Sequence, residues 1–180
     1  MKKLLLTAGI FFLLIFSIQA QENDDFIKNK TIFGVKGGLI FNNFHDNHNK
    51  DINNYSFYGG FFSETRLSKK WSFQNELIYS NSEGYDFIEV PLLLKYHINE
   101  KWSAFAGPSL DFLVDNTEIN TETIPLGLSA VIGTQYNFSE KFFIEGRINL
   151  GMTKQIDYSL NDQFASFSRN TFRVGIGYRF

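Results

Sequence analysis

The sequence predicts an all-β chain, an eight-stranded antiparallel up-and-down transmembrane β-barrel with short periplasmic turns and longer extracellular loops. Three observations carry this reading. Apolar and polar side chains alternate with a period of two along eight segments. The apolar phase of all eight contains no Asp, Glu, Lys or Arg. The connections between them alternate between tight and long, as an up-and-down membrane barrel requires.

Composition narrows the class further. Aromatic residues make up 17% of the 180 residues, and there are 14 glycines, a mixture that favours strands and close backbone contacts over helices. The formal charge is -2 and there is no long basic run, so the electrostatic footprint of a nucleic-acid binder is missing. The chain has no cysteine, which excludes a disulfide framework, a thiolate metal site, a Cys nucleophile and a lipoprotein anchor. No cofactor motif is present: there is no Gly-rich phosphate loop, paired-histidine metal motif or nucleophile elbow.

The order of elements begins with an address. Lys2 and Lys3 precede an uncharged, mostly apolar run from Leu4 to Ile18, and Ala20 stands before Gln21. Residues 1–20 are expected to form a cleaved signal peptide. Residues 21–30 are expected to form a short periplasmic tail, and residues 31–180 the barrel. No later segment reaches the roughly 18 apolar residues of a spanning helix, so strands must do any spanning.

The eight strands are expected at Ile32–Phe44, Tyr55–Leu67, Trp71–Ser80, Phe87–Ile98, Trp102–Val114, Ile124–Tyr136, Phe142–Thr153 and Thr171–Phe180. The last alternates most cleanly, with Phe172, Val174, Ile176, Tyr178 and Phe180 against Arg173, Gly175, Gly177 and Arg179. Three connections repeat one tight turn that leads into an aromatic: Ser68-Lys69-Lys70-Trp71, Asn99-Glu100-Lys101-Trp102 and Ser139-Glu140-Lys141-Phe142. The connections 45–54, 81–86, 115–123 and 154–170 are longer and polar. Pro91 and Pro108 each remove a ladder donor and are expected to mark bends or bulges. Asn75 falls on the apolar phase, where a bulge or an interfacial position would accommodate it.

The opposite phase carries eleven charges: Lys36, Glu64, Arg66, Glu76, Glu89, Lys95, Asp111, Glu145, Arg147, Arg173 and Arg179. Two closed barrels fit this pattern. A soluble lipocalin-like carrier would turn the charges to water and the aromatics inward, around a ligand. A membrane barrel would do the reverse. Three features favour the membrane. Nine of the twelve strand glycines (Gly34, Gly38, Gly60, Gly107, Gly127, Gly133, Gly151, Gly175 and Gly177) share the charged phase, where a narrow interior needs small residues beside large ones. Trp71, Trp102, Tyr136, Phe142 and Phe180 fall at one level, as an interfacial aromatic girdle does. The strands are also long enough to cross the hydrocarbon with tilt.

The charged phase is expected to form a satisfied structural network inside the lumen. Glu89 and Lys95 stand about 20 Å apart along one strand and must find partners on neighbouring ones. A proton or ion path, or a narrow channel, is the functional alternative, and an eight-strand lumen filled by side chains argues against a wide pore. His45, Asp46, His48 and Asp51 cluster in the first long loop, but nothing there preorganises a metal site, and a solvated loop is expected. His97 lies near the turn after the fourth strand, with Ser72, Ser103 and Glu100 nearby. It is expected to cap a barrel mouth rather than catalyse.

These residues resemble a known family, the small outer-membrane β-barrel proteins of the PorT type. The matching elements are Gly34-Val35-Lys36-Gly37-Gly38-Leu39, Glu76-Leu77-Ile78-Tyr79-Ser80, and Ile88-Glu89-Val90-Pro91-Leu92-Leu93-Leu94-Lys95-Tyr96 followed by Gly107-Pro108. The Glu-x-Pro-x-x-x-Lys element is the most specific. The resemblance implies the fold and an outer-membrane location, and implies that the terminal Phe180 is the signal read by the barrel-assembly machinery. It assigns no biochemical role. The expected function is therefore structural, adhesive or partner-binding, without catalysis, exercised through extracellular loops such as those carrying Tyr85, Tyr158, Phe164 and Phe167. Expected partners are outer-membrane lipid, the assembly machinery and an extracellular or periplasmic protein; nucleic acid is not among them.

Overall fold

A computed structural model describes residues 30–42, 54–82, 85–114, 126–153, 156–160, 163–167 and 170–180. The expected signal peptide lies outside these residues. So do most of the tail and the loop cluster of His45, Asp46, His48 and Asp51.

Eight long strands close into a barrel: β1 (Thr31–Asn42), β2 (Asn54–Arg66), β3 (Trp71–Ser82), β4 (Tyr85–His97), β5 (Trp102–Leu113), β6 (Leu126–Asn137), β7 (Phe142–Gly151) and β10 (Asn170–Arg179). The order around the barrel is β1-β10-β7-β6-β5-β4-β3-β2, and all neighbours are antiparallel. Closure joins β1 to β10, with Lys36 opposite Gly177 and Ile40 opposite Arg173. Each strand has 10 to 13 residues. A tilted strand needs about 9–11 to cross a bilayer.

Side chains alternate across the wall as the sequence pattern requires. The apolar phase faces out: Phe57, Phe61, Ile132 and Ile176 are each more than half exposed. The charged phase faces in, and Glu89, Lys95, Arg147 and Arg173 are fully buried. A soluble carrier requires the opposite arrangement. Setting one Arg or Lys on the lipid face costs roughly 2–4 kcal/mol near mid-membrane, so the inward bases of β1, β2, β4, β7 and β10 hold those strands to their register.

The three tight turns are built alike. In each, a side-chain oxygen (Ser68 Oγ, Asn99 Oδ1 or Ser139 Oγ) accepts from two backbone amides beyond it. Asn99 receives Lys101 N at 2.9 Å and Trp102 N at 2.8 Å, and the serines do the same. The short polar side chain replaces a missing ladder partner, which is why Ser and Asn occupy this position.

Three expectations change. The 154–170 connection contains a separate hairpin, β8 (Ile156–Leu160) and β9 (Gln163–Phe167). Strands of five residues are too short for alternation to stand out from a polar loop. The 81–86 connection shrinks because β3 runs on to Ser82 and β4 starts at Tyr85; Asp86 accepts from Tyr79 Oη and Asn81 Nδ2 and ties this end together. Neither proline makes a bulge. The β3–β4 pairing resumes past Pro91 in the same register, as does the β4–β5 pairing past Pro108. Asn75 likewise sits in unbroken register, opposite Ser63 and Leu92, and is buried with its Oδ1 unpaired among the described residues.

Candidate functional site: the lumen and its short-turn mouth

The inward phase of eight strands converges on one axis, so charges remote in sequence meet. They assemble at three levels. Nearest the short turns, Lys95 Nζ on β4 donates to Glu64 Oε2 at 2.9 Å and Gln135 Oε1 at 3.0 Å, and also to Gln74 Oε1. At mid-barrel, Lys36 Nζ donates to Glu76 at 2.5 Å and Glu145 at 3.1 Å. Arg147 reaches the same two carboxylates, Glu76 at 2.9 Å and Glu145 through Nε at 3.0 Å and a second nitrogen. Gln74 Nε2 and Tyr58 Oη donate to Glu76 and Glu145 respectively. Toward the loop end, the Arg173 guanidinium makes a two-bonded fork on Glu89, both distances 2.8 Å, while Ser80 donates to Glu89 at 2.6 Å. Ser109 donates to Asp111 at 2.8 Å on the same side.

Nine of the eleven charges read from the sequence lie in this lumen. Arg66 is exposed at the mouth. Arg179 is partly buried there, donating to Asn137 Oδ1 at 2.9 Å and to the Glu140 carbonyl at 3.0 Å. Both sit at strand ends, where the inward phase opens to solvent. Glu89 and Lys95 do not meet; each is neutralised from another strand.

The sequence reading missed the aromatic half of the lumen. Tyr58, Phe62, Phe87, Phe105 and Phe143 point inward and are buried. Arg147 lies 5.6 Å from the Tyr58 ring centre and 5.7 Å from that of Phe105; Arg179 lies 4.8 Å from that of Phe143. Guanidinium faces are weakly hydrated and stack well on rings, so these aromatics complete the charge layers without drying out a donor. Four of the five fit because a glycine lies against the ring: Gly175 at Tyr58, Gly34 at Phe62, Gly133 at Phe105 and Gly177 at Phe143. A methyl group on Gly133 would strike the Phe105 ring, and one on Gly177 the Phe143 ring. The signal was present in the sequence: these rings share a phase with glycines and charges.

His97 does lie within reach of two serines and an acid. Ser72 Oγ is 2.7 Å from its Nε2, Ser103 Oγ 3.0 Å from its Nδ1, and Glu64 Oε1 3.4 Å from its Nε2. A serine–histidine–acid relay needs the acid on the ring nitrogen opposite the nucleophile. Ser72 fails this, because it shares Nε2 with Glu64; Ser103, on Nδ1, does stand opposite the acid, but its hydroxyl has no solvent exposure through which a substrate could reach it. Both serines are fully buried, and Glu64 is bound to Lys95. The imidazole joins β3, β4 and β5 at the floor of the mouth. Glu100 is exposed on its turn. Among the described residues, no cluster of His, Asp and Glu has the make-up of a metal site.

Above that floor the short-turn mouth opens as a cavity of about 1120 Å³. Its lining includes seven bases (Lys30, Arg66, Lys69, Lys70, Lys101, Lys141 and Arg179) and three acids, Glu64, Glu100 and Glu140. Just outside it stands an aromatic ring of repeated geometry: Trp71 on Tyr96, Trp102 on Tyr136 and Phe142 on Tyr178, each pair 4.9 Å between ring centres.

Solved barrels share this architecture. The N-terminal barrel domain of Pseudomonas aeruginosa OprF is 14% identical, over 84% of this chain and 98% of that one, with a TM-score of 0.54. Yersinia pestis Ail in a phospholipid nanodisc is 15% identical, over 84% and 100%, with a TM-score of 0.50. Ail in complex with the heparin analogue sucrose octasulfate is 17% identical, over 84% and 99%, also at 0.50. At these identities the likeness concerns the fold. No curated protein matches the chain significantly. The family model for outer membrane protein β-barrel domains matches residues 19–157, from the end of the N-terminal apolar run to beyond β7. With its apolar outer wall and its charges locked inside, this chain belongs to the family of outer membrane protein β-barrel domains.

Proposed function

We propose that the barrel is a rigid, sealed scaffold whose loops recognise a partner outside the cell, in a structural or adhesive role and without catalysis. The observation that carries this is the lumen: three successive layers of paired charges fill it, and a conducting path or ligand cavity needs at least one layer open. With the interior filled, recognition falls to the loops, as it does on other rigid scaffolds. Segments 45–54, 81–86, 115–123 and 154–170 carry nine acids and three bases. That excess favours a basic or neutral partner over a sulfated polyanion such as the one bound in the Ail complex.

Further proposals concern biogenesis and kinship. Residues 1–20 act as a cleaved signal peptide, and Phe180 is read by the barrel-assembly machinery. Both termini then face the periplasm. The Glu89-x-Pro91-x-x-x-Lys95 element supports a PorT-type relationship within the wider family.

The test compares cells making the full chain with cells making a chain whose 115–123 and 154–170 segments are replaced by short turns. Both barrels must show the gel shift on boiling that marks a folded barrel. Attachment to matrix-coated surfaces and crosslinked partners should be lost on trimming. Unchanged attachment would remove the loop role, and stepwise conductance of the full chain in planar bilayers would restore the channel reading.

A further inference from the structure

The three tight turns build one unit three times. In each, a capped turn ends in a lysine, followed by an outward aromatic that stacks on a tyrosine of the next strand. The sets are Lys70, Trp71 and Tyr96; Lys101, Trp102 and Tyr136; and Lys141, Phe142 and Tyr178. Trp71, Trp102 and Phe142 are 41, 47 and 54% exposed, so they face the membrane rather than the lumen. The ring pairs tilt alike, at 58°, 57° and 54°. The Lys141 ammonium lies 5.8 Å from the Tyr178 ring centre, which brings it to the outer face of the rim.

Lys70, Lys101 and Lys141 stand on the rim of the short-turn mouth, whose lining they share with Lys30, Arg66, Lys69 and Arg179. Among the described residues, no ion pair engages Lys70, Lys101 or Lys141, and all three are exposed. The cap already satisfies the backbone amide of each lysine and of the aromatic after it, so the free donor of each unit is the ammonium, beside indole N–H groups in two of the three. An interfacial aromatic sets the depth of the headgroup region, and a lysine one residue toward water then stands at the level of lipid phosphate. Charge along the axis agrees: the short-turn mouth is rich in bases, whereas the long loops are rich in acids.

We propose that each unit is a binding site for the phosphate of an anionic phospholipid, in the leaflet that meets the short-turn end. The lysine supplies the charge, and the stacked ring pair holds the glycerol-level portion of the lipid. Three such sites, one per tight turn, form a partial annulus that fixes the depth and tilt of the barrel, independently of what the loops bind.

The chain's only two tryptophans, Trp71 and Trp102, both belong to these units and report on them directly. The folded full chain is placed in phosphatidylcholine vesicles containing a small fraction of either brominated phosphatidylglycerol or brominated phosphatidylcholine, and tryptophan quenching is compared. The anionic lipid should be preferred about fivefold, the factor one basic side chain contributes at an anionic surface. The preference should vanish in the triple variant Lys70→Gln, Lys101→Gln, Lys141→Gln and survive in Lys69→Gln, whose lysine has no counterpart in the other turns. Equal quenching by both lipids in the unsubstituted chain would overturn the proposal, and so would a preference that outlasts the triple substitution. A loss in Lys69→Gln as large as in the triple variant would replace the three sites with diffuse charge. Should the triple variant give no heat-shifted barrel, the unsubstituted chain decides in raised salt, where a preference that does not fall refutes a phosphate–ammonium contact.

Discussion

Replacing Glu76 with glutamine should destabilise the barrel by about 3–5 kcal/mol, the cost of deleting one member of a buried ion network. The mid-barrel cluster is neutral, with Lys36 and Arg147 set against Glu76 and Glu145. Glu76 takes Lys36 at 2.5 Å and Arg147 at 2.9 Å, and all four side chains have no solvent exposure. At an effective dielectric constant of 20 each of those contacts is worth roughly 6 kcal/mol. Removing the charge also relieves its repulsion from Glu145 and the burden of burying it, which returns most of that sum. What remains is an uncompensated cation beside an amide that now offers donors to donors. Set against a typical total of about 5–15 kcal/mol, the loss is roughly a fifth or more of the stability. The assay is equilibrium urea unfolding in phospholipid vesicles, followed by the emission of Trp71 and Trp102. Adding Lys36→Met restores neutrality, so the double variant should be at least about 2 kcal/mol more stable than additivity predicts. A single-variant loss below about 1 kcal/mol, additive with Lys36→Met, would mean that water screens the cluster. That result would refute the sealed lumen.

Other expectations follow from the same geometry. Gly177→Ala should cost about 1–3 kcal/mol, since the new methyl meets the Phe143 ring, whereas Gly146→Ala should be nearly neutral because its outward position meets nothing; paired unfolding curves separate them. Asn99→Ala should cost about 1–2 kcal/mol through two lost turn hydrogen bonds, and Asn99→Ser should recover most of it, because serine caps the other two turns; unfolding midpoints provide the readout. Ile132→Arg, on the outward face of β6, should cost about 2–4 kcal/mol in lipid, and a near-zero effect would show that this face does not meet the membrane.

The sequence by itself determined the faces. Period-two alternation is local, so one strand suffices to say that Glu89 and Lys95 share a side and that Ile88 and Leu94 take the other. The cost of a charge in lipid then says which side is which, without any knowledge of neighbours. The turns were equally legible, because Ser68, Asn99 and Ser139 act within three residues of themselves. Tertiary structure decided the pairings. Lys36 meets Glu76 and Glu145, 40 and 109 residues away, and Arg173 meets Glu89 across 84. Those meetings depend on closure of β1 against β10 and on the register of every ladder between, which no local pattern encodes. Closure and pairing also decided that Arg66 and Arg179 stop at the mouth, that His97 presents one nitrogen to both Ser72 and Glu64, and that the inward rings of Phe62, Phe105 and Phe143 lodge against Gly34, Gly133 and Gly177. Alternation fixes which wall a side chain leaves, whereas only the curvature and stagger of the closed sheet fix the depth it reaches and the partner it finds.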